Sequence, residues 1–202
     1  LDALEWRLRL SFEKQSTVFS ETIDASDGRY QLLKELIANN KFSSVLDAGC
    51  GKGRYLRNIL NDFSGLNLHA SDLSTQVMSH LPVDIERKQG SLLRLPYPDS
   101  KFDLCYTVEA LEHAVHVDGA LRELTRVLKP GGKLLIIDKN INRLGSLKLP
   151  DWEQWFETEA LTQKLQSLGC SVMPYENIPY EGKADGLFTA WVATKAISGV
   201  NA

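Results

Sequence analysis

A chain of 202 residues, 43% of them hydrophobic, is long enough to bury one core unaided and does not need a second domain. Lys plus Arg number 23 against 26 Asp plus Glu, a net charge of −3 with no basic run, which argues against a polynucleotide partner. No apolar stretch reaches the roughly 20 residues of a membrane span and no cleavable leader is visible, so the expectation is a cytoplasmic protein whose Cys50, Cys105 and Cys170 are reduced and buried.

Leu1, Leu4 and Leu8 recur at the spacing of one helical face, so the chain should open on a helix. A second helix is expected over 30–38, with Asp27-Gly28 as its entry signal. From Phe42 onward apolar strands alternate with helical patterns, the sign of a parallel sheet covered on both faces. Strands are expected near 43–48, 66–71, 83–88, 102–108 and 133–138, with helices near 53–62, 74–80 and 118–128. Right-handed crossovers then put the C-terminal ends of the strands on one edge, where ligands of such sheets bind. A last helix over 157–168 ends at Gly169 and precedes strands near 171–178 and 187–194. The connection 180–186 is too short for a parallel return and predicts an antiparallel pair.

The first strand runs into Asp47-Ala48-Gly49-Cys50-Gly51-Lys52-Gly53-Arg54. Gly49, Gly51 and Gly53 take backbone angles closed to other residues and leave no Cβ in the way, so a ligand can lie against the main chain. Asp72 closes the second strand roughly 20 residues on, where an acid can accept the hydroxyls of a ribose.

The Asp-x-Gly-x-Gly-x-Gly pattern of 47–53 resembles the first motif of the class I S-adenosylmethionine-dependent methyltransferases. Leu95-Pro96-Tyr97-Pro98-Asp99-Ser100-Lys101-Phe102-Asp103 resembles the stretch leading into the fourth strand of the methyltransferase-11-like branch, and 123–134 is similar to its helix, Lys-Pro-Gly-Gly turn and fifth strand. The resemblance covers about 28–196. It implies an α/β, Rossmann-like fold: a seven-stranded, mostly parallel sheet of order 3-2-1-4-5-7-6 with strand 7 antiparallel and helices on both faces. Residues 1–27 would form a helical lid, or a helix docked only for stability, and 28–202 the methyltransferase domain. The initial Leu also suits a domain excised from a multidomain synthase.

S-adenosyl-L-methionine, converted to S-adenosyl-L-homocysteine, is the implied cofactor. By the resemblance, Asp47 and the backbone of Gly49, Gly51 and Gly53 hold its methionine end, Asp72 its ribose, and Leu73 and Leu92 its adenine. Many relatives carry Gly-Asp after the third strand; Gly90-Ser91 stands here, so Ser91 would replace that acid as acceptor. Arg29 is expected near the methionine carboxylate, with an ordinary surface arginine as the alternative.

A hydroxyl acceptor must lose a proton. If 109–113 turns helically, Glu109 and His113 fall four residues apart, with His113 as general base and Glu109 supporting the imidazolium; a pocket-shaping role is the alternative. Glu109, Glu112 and His113 also form a ligand set should a divalent metal be required. Lys139 and Arg143 would meet an acidic acceptor, while Trp152, Trp155 and Phe156 roof the site or pack in the core. The leading expectation is O-methylation of a hydroxyl or carboxyl of a small molecule, free or carrier-tethered. N- or C-methylation of a metabolite or quinone precursor, and a non-catalytic cofactor-binding subunit, are the alternatives.

Overall fold

Val45 and Leu46 are fully buried neighbours on one strand, and alternation sends them to opposite faces of the sheet. Val45 joins one apolar cluster and Leu46 the other, so β1 (Ser44–Ala48) has core on both sides, as a central parallel strand requires. The computed structural model describes residues 3–14, 17, 20–145, 148–149, 153–180 and 183–197. Its sheet contains β1, β2 (Asn67–Asp72), β3 (Glu86–Gln89), β4 (Phe102–Val108), β5 (Leu128–Lys139), β6 (Cys170–Tyr180) and β7 (Lys183–Lys195). The order is β3-β2-β1-β4-β5-β7-β6, with β7 antiparallel to both neighbours, which is the topology the sequence resemblance implied.

The helices divide between the two faces according to where their apolar stripes fall. Tyr30 and Leu33 of α2 (Gly28–Ala38), Leu56 and Ile59 of α3 (Arg54–Asp62) and Met78 of α4 (Thr75–Met78) pack into the cluster around Val45 and Leu104. Leu121 and Leu124 of α5 (Val117–Arg126) and Leu161 and Leu165 of α6 (Thr158–Ser167) pack into the cluster around Leu46 and Cys105. α1 (Ala3–Lys14) stands apart from both. All three cysteines are buried and free, and no helix among the described residues is long and apolar enough to cross a membrane.

Some boundaries differ from the sequence pattern for local reasons. β5 begins at Leu128 rather than near 133, because Leu128 already pairs with Phe102 and a register shift absorbs the Pro-Gly-Gly step. At Gly132 a Cβ would lie 2.8 Å from the Lys129 carbonyl oxygen and 3.1 Å from that of Phe102, so only glycine passes there. α4 is a single turn: Ser74 caps it by accepting from the Val77 amide, and Pro82 soon removes the donor that a longer helix would use. β6 tolerates Pro174 and Pro179 because it is the outer strand.

Trp191 on β7 links the sheet to α6: it is fully buried, donates from Nε1 to the Thr158 carbonyl at 3.1 Å and meets Phe156 edge-on at 6.5 Å. Phe156 is thus core rather than roof. Replacing Trp191 by Ala should cost about 3–5 kcal/mol, read as a shifted midpoint in denaturant unfolding.

Candidate active site

The turn after β1 is shaped by its glycines, which do different work. Gly49 has φ +81 and an added Cβ would lie 2.5 Å from the Ala110 Cβ; at Gly53, φ +76, it would strike Leu81. Gly51, φ +53, has no atom within 4 Å of that position, so it alone of the three faces open space. The Gly51 amide donates to Asp72 Oδ2 at 2.9 Å and the Ser74 amide to Asp72 Oδ1 at 3.0 Å. Asp72 therefore ties the β1 turn to the β2 turn. Burial raises its carboxyl pKa, opposed by those amides.

Asp47 lies beneath the turn, 3% exposed, with Oδ2 lacking a hydrogen-bond partner. Burial, reinforced by the charge of Asp72, pushes its carboxyl up to about 7. These groups open onto a cavity of about 410 Å³ at the C-terminal ends of the strands, a size suited to a small ligand. Asp47, Gly49, Gly51, Asp72 and Leu73 border it, as do Ser91, Leu92, Glu109 and His113. Gly53 and Arg29 do not line it.

α1 covers the cavity through a face that the leucine spacing did not predict. Glu5, Leu8 and Phe12 border the cavity, whereas Leu4 is 54% exposed. Ser91 Oγ donates to the Glu5 carboxylate, Ser74 Oγ donates to Glu13 at 3.0 Å, and Phe12 meets the His113 ring edge-on at 5.0 Å. Because this wall mixes serine hydroxyls with apolar side chains, the inward face carries acids as well as apolar residues.

At the end of β4 the chain does not turn as an α-helix. Glu109 has φ +52, a left-handed conformation costing on the order of 1–3 kcal/mol for a non-glycine residue. Its carboxylate meets Arg29 Nη1 at 2.5 Å and is also bound by Arg54. Arg29 is fully buried, paired with Asp27 through Nε and Nη2, each at 2.9 Å, and lies over Tyr180 and Phe188. Burial opposes its charge most strongly, but Asp27, Tyr55 and Glu109 together outweigh it and raise its pKa. Arg29 is thus neither a surface arginine nor open to the cavity. Arg54, which borders the cavity, is the cation that the sequence reading missed, although it directly follows the glycine turn.

The imidazole's partner is also different from the expected one. Leu111–His113 forms a 3-10 turn that brings His113 Nε2 to 3.3 Å from Glu112 Oε1, while Glu109 stays with the arginines. Glu112 is 2% exposed. Burial pushes its carboxyl up, but His113 and Lys139 outweigh burial and hold it below the ordinary value. Lys139 Nζ lies 3.1 Å from both Glu112 and Glu153, and Trp155 Nε1 donates to Glu153 at 3.0 Å. Behind them Asp138 is held well above the usual carboxylate range by burial and by Glu112, and it accepts from the Glu112 amide at 3.1 Å.

Among the described residues, Glu112, His113 and Glu153 bring potential ligand atoms within 4.8 Å of one another, so Glu153 replaces Glu109 in that set. Glu153 is 40 residues away in sequence and no local spacing could have flagged it. Arg143 bonds Asn177 instead of bordering the cavity, and Trp152 lies outside the described residues.

Residues 46–136 match a family model described as a methyltransferase domain. The sterol 24-C-methyltransferase of Gibberella zeae is 30% identical over 141 residues, 65% of this chain and 37% of that protein. The 2-methyl-6-phytyl-1,4-hydroquinone methyltransferase of Synechocystis is 30% identical over 154 residues, 73% of this chain and 48% of that protein. The chain thus spans less than half the length of these curated relatives. The putative methyltransferase solved in complex with the Haloferax volcanii Trm112 methyltransferase activator superposes with a TM-score of 0.70 at 18% identity, over 96% of this chain and 99% of that one. Residues 46–136 are thus similar to a methyltransferase domain, and the chain has the fold of the class I S-adenosylmethionine-dependent methyltransferases.

Proposed function

We propose that the domain binds S-adenosylmethionine in the cavity and catalyses transfer of its methyl group to a hydroxyl of a small molecule. The cavity has what this cofactor needs: an open glycine backbone at Gly51, an unpaired buried carboxylate oxygen on Asp47, and an Asp72 carboxylate fixed by two amides. Asp47 and the glycine turn would hold the methionine end with Arg54 nearby, Asp72 the ribose hydroxyls, and Leu73 and Leu92 the base. When bound, S-adenosylmethionine supplies a methyl carbon made electrophilic by its sulfonium.

The observation that carries the choice of acceptor is the His113–Glu112 pair on the cavity wall. His113 takes the hydroxyl proton as the acceptor oxygen attacks. Glu112 stabilises the resulting imidazolium, and Lys139 keeps Glu112 ionised. Enclosure by α1 aligns acceptor and methyl group, from which much of the acceleration of such a displacement comes. A subunit that only held the cofactor would have no use for this pair.

Methylation of carbon is a second reading, favoured by the similarity to sterol and hydroquinone methyltransferases. On a hydroquinone, His113 would ionise the hydroxyl and direct the attack through a ring carbon. A groove between α5 and α6 shares Val115 with the cavity and is open to solvent, which gives a long or carrier-tethered acceptor a path inward.

Cofactor affinity should depend on pH through Asp47. With its folded pKa near 7 against an ordinary 3.8, the ligand-free protein gains stability below that range and loses it as pH rises through about 7. A cofactor ammonium needs the ionised carboxylate, so affinity for S-adenosylhomocysteine should fall up to tenfold per unit as pH drops below about 7. Asp47→Asn should flatten that dependence, and a flat wild-type profile in calorimetric titration would remove Asp47 from the cofactor site.

Loss of a general base costs about 10²–10⁴ in rate, so His113→Ala should keep its affinity for S-adenosylhomocysteine yet lose turnover on a hydroxyl acceptor. Glu112→Gln should lower kcat and move the acidic limb of the pH profile, whereas Glu109→Gln should act on folding and cofactor affinity. Near-normal turnover of His113→Ala would point instead to a nitrogen or carbon acceptor needing no base.

A further inference from the structure

The Glu5 carboxylate is carried into the cavity by α1, an element outside the sheet, yet it is only 7% exposed. Its position along α1 separates it from the reacting end. Phe12, seven residues further on, meets His113, and at ~1.5 Å per residue the two side chains leave the helix about 10 Å apart along its axis. Glu5 lies instead at the loop following β3, where Ser91 Oγ donates to it. That loop is joined to the ribose acid: the Gly90 amide donates to the Asp72 carbonyl at 3.0 Å.

Ser91 does not present its oxygen to a ligand. Its hydroxyl accepts from the Leu93 amide at 2.9 Å and spends its proton on Glu5. Ser91 is therefore the anchor and Glu5 the acceptor. A carboxylate accepts up to about four hydrogen bonds, so it can take a donor from a ligand while keeping Ser91.

We propose that Glu5 is the adenine-reading residue of this site, accepting the exocyclic amine of the cofactor, so that the lid helix contributes directly to cofactor specificity. This rests on the reading that Asp72 holds the ribose. From Asp72 the nucleoside then extends past Leu73 toward Gly90 and Ser91, where an amine donor meets the Glu5 carboxylate. A site built to accept from an amine rejects a ligand with an oxygen there, because two acceptors then face each other. Binding is also coupled to closure: cofactor and Ser91 together hold α1 down, and a held lid retains the cofactor.

The test compares S-adenosylhomocysteine with S-inosylhomocysteine, which carries a carbonyl oxygen in place of the amine, by calorimetric titration of the full chain. Wild type should prefer the adenine ligand by about tenfold or more. Glu5→Gln should reduce that preference to about threefold or less, because its amide can also donate to the oxygen. Ser91→Ala, which removes only the anchor, should reduce it partially. Hydrogen exchange adds an independent readout: S-adenosylhomocysteine should slow exchange of the α1 amides in wild type and much less so in Glu5→Gln. Asp72→Ala should weaken both ligands alike, and if it weakens neither, the underlying cofactor reading fails. If Asp72→Ala weakens both while Glu5→Gln keeps full discrimination and full protection of α1, or if wild type shows no preference, the role of Glu5 is overturned.

Discussion

The site is organised around one carboxylate in an unfavourable backbone conformation. Glu109, left-handed at the end of β4, is gripped by guanidinium groups from the first turns of α2 and α3. Those helices also pack with β4 in the apolar core, and this ion pair ties the three elements together at the sheet edge. Removing one partner from a buried charge pair typically costs about 3–5 kcal/mol, more than the strain of one left-handed residue. The conformation persists because the arginines hold it, and it sets the direction in which the chain leaves β4.

That direction decides which acid serves which purpose. After Glu109 the chain tightens into the Leu111–His113 3-10 turn, and Glu112 points toward Lys139 and His113 while Glu109 points toward Arg29 and Arg54. Two acids three residues apart thus enter separate charge systems, one beside the glycine turn and one with His113 and Lys139. Ala110 lies between them and its Cβ nearly fills the space over Gly49, which explains why a small residue faces a glycine there.

The alternation of strands and helices was legible in local pattern, and the order of the sheet followed from the family resemblance. Continuous apolar strands marked the parallel centre, and the short 180–186 connection marked the antiparallel edge. The Asp47–Gly53 turn was legible because few sequences put three glycines between a strand and a helix. The partners within the site were not. Pairing Glu109 with His113 assumed helical spacing, and one positive φ invalidated it. Glu153 reaches the site through tertiary structure, where neither spacing nor composition carries a signal, whereas Arg54 adjoins the glycine turn and only its pairing with Glu109 is tertiary. For α1 the leucine periodicity marked a helix but not its inner face, where Glu5 and Phe12 stand beside Leu8.

The lid bridges the two ends of the cavity with chemically different contacts. Phe12 meets the His113 ring at one end, and Glu5 and Glu13 hydrogen-bond to the serines after β3 and before α4 at the other. An apolar lid would be held down by burial alone and would close equally well with or without a ligand. A helix that carries the buried Glu5 carboxylate on its inner face is stable only where a donor meets it, because an unpaired buried charge is expensive. The position of α1 therefore depends on those hydroxyl donors, and the same helix sets Phe12 against the imidazole. In the proposed reading, cofactor recognition at one end of α1 is thereby linked to exclusion of water from the acceptor at the other.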